Sequence, residues 1–157
     1  MQSKISTVNM TEIATLTETT MLLRLGVSLL LGGAIGLERA IHKHPAGTRT
    51  FMLLCLASTL ATMASIYICQ TNPELHNGDP GRIAAQILTG VGFLGAGLII
   101  KHEDSILGIT TAACIFMTAA IGIAVGVGMY ITAAAVTAVT ILILVSHDIQ
   151  DKKGNAE

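Results

Sequence analysis

ILGITTAACIFMTAAIGIAVGVGMYITAAAVTAVTILILV, residues 106–145, is 40 residues long and holds no Asp, Glu, Lys, Arg or His. As one helix it would run about 60 Å, twice the ~30 Å of hydrocarbon in a bilayer. It is therefore two crossings. Gly126-Val127-Gly128 is where the chain turns between them.

Three more apolar runs lie upstream, at about Met21–Leu37, Thr50–Cys69 and Ile83–Ile100. With Ile106–Val127 and Met129–Ser146 they make five, each near the ~20 residues a helix needs to span a membrane. The expected fold is all-α, a polytopic transmembrane helix bundle of about five helices. Residues 1–20 read as a polar tail, 21–146 as the membrane domain and 147–157 as a short cytoplasmic tail. Composition agrees, with 52% apolar and only 12% charged residues. An ordinary soluble domain carries roughly 25% charge, and so few charges would not cover one. The first twenty residues hold one Lys and two Glu among many Thr and Ser, without the charged-then-apolar order of a secretory signal.

Orientation follows from where Lys and Arg fall. Arg39, Lys43, Arg49, Lys101, Lys152 and Lys153 lie on one side and Lys4, Arg24 and Arg82 on the other, six against three. That places the N-terminus outside and the C-terminus in the cytoplasm. The outer loop, Gln70 to Gly81, carries Glu74 and Asp79. A formal net charge of −1 provides no basic patch for nucleic acid. Cys55, Cys69 and Cys114 sit apart in apolar runs without a C-x-x-C, so they read as small packing residues rather than a zinc site or disulfide framework.

Polar residues at membrane depth are the candidates for function. Glu38 and Arg39 close the first run, and Arg49 opens the second at similar depth. One reading is a charge cluster, Glu38 paired with Arg39 or Arg49, lining a polar pocket. The other is that both arginines snorkel and anchor topology. Arg82, Gln86, Thr89 and Gly90 share one face of the third span, and Gln86 is expected to point into the bundle. They mark the mouth of a polar path or a seam between helices.

Gly32 and Gly36, and again Gly122 and Gly126, form G-x-x-x-G pairs that permit close helix approach. Gly90, Gly92, Gly95 and Gly97 match the dinucleotide fingerprint G-x-G-x-x-G at their start, but inside an apolar span. The nucleotide motif needs a strand before it and an acidic residue about 20 later. These glycines are expected to smooth a helix for packing. Hydroxyl stripes on spans two and four (Ser58, Thr62, Ser65; Thr111, Thr118) read as packing, with a hydrophilic passage as the minor alternative. His42-Lys43-His44 is poor evidence for a metal, and no nucleophile–base pair appears at depth. No enzyme and no cofactor are expected.

Residues 31–39 (LGGAIGLER), 46–50 (AGTRT), 81–97 (GRIAAQILTGVGFLGAG) and 108–113 (GITTAA) together resemble the MgtC/SapB membrane proteins, in order and spacing, across roughly residues 21 to 145. The resemblance implies a bacterial inner-membrane protein of about five helices, linked to magnesium limitation and, in pathogens, to survival inside host cells. It implies regulation of other membrane machinery, with ATP synthase and magnesium-transport ATPases as candidate partners. Glu38, Arg39, Arg49, Arg82, Gln86 and the glycines of the third span become the positions of interest. Many relatives carry an ACT-like domain after the last helix, whereas this sequence runs 11 residues past Ser146 and reads as a short form. Phe116 stands where many relatives have Trp.

Two functions compete. A regulator would dock helices through its small-residue faces, with a homo-oligomer among the assemblies allowed. A magnesium or other cation carrier would need hard oxygen ligands, and Glu38 is the one carboxylate near membrane depth, with arginines beside it that repel the ion. An anion route past Arg24, Arg49 and Arg82 is the outsider.

Overall fold

The computed structural model describes residues 17–71, 79, 81–101 and 105–154, the side chains of 147–154 excepted. Among them are five helices, α1 (Glu18–Ile41), α2 (Thr48–Thr71), α3 (Gly81–Ala96), α4 (Ile109–Val127) and α5 (Tyr130–Gly154). Between α3 and α4, β1 (Ile100–Lys101) and β2 (Ile106–Leu107) pair antiparallel in a two-stranded ribbon. Pro45 falls between α1 and α2, where a missing N–H costs no helical bond. Most of the expected polar tail, Glu74 of the outer loop, and the side chains of Lys152 and Lys153 lie outside the described residues.

The chain is an all-α membrane protein. α1, α2 and α4, of 24, 24 and 19 residues, are long and apolar enough to cross a bilayer, and α5 contributes the shorter apolar stretch Tyr130–Ser146. α3 has 16 residues, about 24 Å of helix. The third and fourth crossings differ from the sequence expectation at their shared end. The third helix stops at Ala96 rather than continuing to Ile100, and the fourth starts at Ile109 rather than Ile106. Gly108 sets where the fourth helix begins. Its φ of +89° is left-handed, and a Cβ there would overlap the carbonyl oxygen of Leu98. Helix therefore gives way to a tight ribbon that returns the chain to the bundle.

The turn expected at Gly126–Gly128 is a Schellman cap. Gly128 has φ +99°, its N–H bonds Val125 O at 2.9 Å, and Met129 N–H bonds Ala124 O at 2.8 Å.

α2 is held between α1 and α4. A Cβ at Gly32 would meet Cys55 Cβ at 2.7 Å, and one at Gly36 would meet Thr48 Cα at 2.7 Å. On the other flank a Cβ at Gly122 would meet Cys55 O at 2.6 Å, and one at Gly126 would meet Thr62 Cβ at 2.7 Å. Both G-x-x-x-G pairs thus press on the same helix, and Thr59 ties the second seam by donating to Gly122 O at 2.8 Å. Thr62, Thr118 and Thr137 donate to carbonyls one turn back on their own helices. Of the hydroxyl stripes, Thr62 and Thr118 are thus satisfied within their own helices. α3 leans on α4 and α2, and α5 on α4 and α1.

Candidate functional site

Alternating helix directions collect the end of α1, the starts of α2 and α4, and the ribbon at one end of the bundle. Here the last turn of α1 puts Glu38 and Arg39 in the interior, 7% and 3% exposed. Arg39 Nη2 donates to Thr111 Oγ1 of α4 at 3.2 Å, while its Nη1 stands 4.0 Å from Glu38 Oε2. His42, one turn on, places Nδ1 3.2 Å from Glu38 Oε1 and 2.9 Å from the backbone carbonyl of Glu38. The ring is aligned on the carbonyl, so both carboxylate oxygens and Arg39 Nε remain buried without a hydrogen bond. Neighbours in sequence do not face each other on a helix, which explains why the Glu38–Arg39 pair is long. A buried carboxylate with unused acceptor capacity can take a water or a donor from a partner.

Arg49 is not part of this cluster. It lies exposed in the first turn of α2, with no ion pair among the described residues. Of the two arginines the sequence offered to Glu38, the structure brings only Arg39 close. No group of three or more His, Cys, Asp or Glu side chains that could hold a metal occurs among the described residues. Among the described residues at this end, one carboxylate is thus offered to a cation, with a guanidinium beside it.

α3 reverses the expected orientation. The ladder Ile83–Ile87–Val91–Gly95 turns inward, and Gly95 lies against Ala112 of α4, where a Cβ would be 3.6 Å from Ala112 Cβ. Gln86 is rotated about 100° from Ile87 and lies exposed, as do Arg82, Thr89 and Gly90. The bulkier apolar ladder has taken the buried side. A Cβ at Gly90 or Gly92 would meet nothing within 4 Å, and one at Gly97 would approach only Leu94 O and Phe93 O of its own chain segment. Of the four α3-region glycines, Gly95 alone packs against a neighbouring helix.

At the opposite end Arg24 is 3% exposed, donates to Gly126 O at 2.6 Å and reaches Tyr130 Oη at 3.3 Å. It satisfies a carbonyl at the C-terminus of α4, where the helix dipole favours a cation. Sequence reasoning counted Arg24 among the outer-side cations. Its position inside an apolar run was the available signal, but spacing could not disclose a partner 102 residues away.

Residues 25–152 match the MgtC family. The chain is 44% identical over 125 residues to YhiD of Escherichia coli K12, provisionally named a magnesium transporter, covering 78% of this chain and 58% of that protein. It is 42% identical over 112 residues to SapB of Bacillus subtilis, covering 69% and 48%, and 39% identical over 116 residues to MgtC of Salmonella typhimurium LT2, covering 74% and 47%. The chain spans about half the length of the curated relatives it matches. No solved structure matches it. With the family matched over most of the chain, this membrane protein belongs to the MgtC family.

Proposed function

We propose that this chain is an inner-membrane protein of magnesium homeostasis that acts by helix contact with another membrane protein, a magnesium-transporting ATPase or the ATP synthase being the candidate partners. The outward face of α3 carries the reading. Ala85, Gln86, Thr89, Gly90 and Gly92 are all exposed, and Phe93 is 81% exposed. Small residues let a second helix approach closely, and an amide facing lipid gains by finding a partner. A photo-crosslinking residue at Phe93, in cells limited for magnesium, tests it. An adduct to a defined membrane protein is expected, lost on Gly92→Leu and not formed from position 131 on α5, where Ile131 is 87% exposed. Equal adducts from both positions, or none, count against it.

A carrier is the second reading, favoured by the unsatisfied Glu38 carboxylate. Magnesium uptake into liposomes holding a magnesium-sensitive dye, abolished by Glu38→Gln, would establish it in place of the first.

A further inference from the structure

The ribbon end of the bundle carries two cavities that share Thr50. One, of about 460 Å³, is lined by Thr50, Leu53, Leu54 and Ala57 of α2 and by Leu94 and Leu98, with Ile115 of α4 behind them. Apart from Thr50 these groups are apolar. The other, of about 390 Å³, is formed by Gly47, Thr48, Arg49 and Thr50. Thr50 to Ala57 is about 10 Å of helix, less than the ~15 Å half-thickness of the hydrocarbon, so the apolar cavity lies within one leaflet. The second cavity adjoins it at Thr50.

Lys43, Arg49 and Lys101 are exposed at this end, Arg49 in the wall of the second cavity, and Glu38 is buried beside Arg39. An occupant of both cavities needs an anionic head at Arg49 and an unbranched apolar tail between α2 and α3. We infer that these two neighbouring cavities hold an anionic phospholipid, with its phosphate at Arg49 and one acyl chain along Leu53, Leu54 and Leu98. The inference rests on the membrane fold and is independent of whether α3 docks a partner.

The test is competition between phosphatidylglycerol and phosphatidylcholine for the full chain in uncharged detergent, read by native mass spectrometry. The anionic lipid is expected to bind at least about fivefold more tightly, the factor one basic residue supplies near a membrane surface. Arg49→Gln should bring the two lipids within about twofold, while Arg82→Gln, at the other end, should leave the preference unchanged. Ala57→Trp fills the apolar cavity from an exposed position and should weaken both lipids. Equal binding of the two lipids by the wild type would overturn the inference. So would a preference that survives Arg49→Gln, or lipid binding that Ala57→Trp leaves intact. Inorganic phosphate competing as well as the lipid would make this a free-phosphate site, which also overturns it. Melting curves of each variant establish that a lost preference is not lost folding.

Discussion

A methyl group at Gly32 would sit 2.7 Å from Cys55 Cβ and 2.8 Å from Phe51 O, and one at Gly126 would sit 2.7 Å from Thr62 Cβ. At Gly90 or Gly92 it would meet nothing. Gly32→Ala and Gly126→Ala should therefore each cost about 1–3 kcal/mol, the range for overpacking a well-filled site. Gly90→Ala and Gly92→Ala should leave stability within about 0.5 kcal/mol, as surface substitutions do. Denaturant unfolding in detergent measures all four. Spacing in the sequence announced that glycines at i and i+4 invite a helix, yet it could not say whether the neighbour belongs to this chain. Glu38 and Arg39 pose the same problem in charge. Removing Arg39 alone strands a buried carboxylate, so Arg39→Gln should cost about 3–5 kcal/mol, while Glu38→Gln with Arg39→Gln should cost clearly less. A double mutant no more stable than Arg39→Gln would show that the two side chains are not energetically coupled.

α3 and the ribbon after it are where reading the sequence fell short among the elements. The apolar run from Ile83 to Ile100 is continuous in composition, and hydropathy has no term for the left-handed glycine at 108 behind which α4 begins. Nor did polarity place the buried face. Gln86 was expected inside because an amide is costly in lipid, but Ile87, Val91 and Gly95 fit the surface of α4 and set the rotation. The other four helices were legible because each follows an apolar run, though the start of α4 was not, and the α4–α5 turn because two glycines flank a single residue. Gly108→Ala should be far more damaging than an alanine elsewhere in a turn. It incurs about 1–2 kcal/mol for left-handed backbone and adds a clash with the Leu98 carbonyl. A marked fall in melting temperature is expected, and a variant that melts like the wild type would mean the ribbon readily rearranges.

Across the whole molecule, burial sharpens the charge asymmetry that composition first suggested. Arg24 and Arg39 are consumed inside the bundle, by the α4 C-terminus and by Thr111 with Glu38. The described cations left exposed are Lys43, Arg49 and Lys101 at the ribbon end and Arg82 at the other. Exposed cations near helix ends are the ones that resist translocation, so the ribbon end should face the cytoplasm and Asp79 and Arg82 the outside. Single-site cysteine labelling decides this, because the native Cys55 and Cys114 are buried and should react slowly. With Cys69 replaced by Ser, a membrane-impermeant maleimide should label Asp79→Cys in intact cells and Lys43→Cys only after permeabilisation. The opposite pattern would invert the bundle. It would move the Glu38 cluster and the Arg49 cavity to the outer leaflet and remove α3's ribbon end from any cytoplasmic partner.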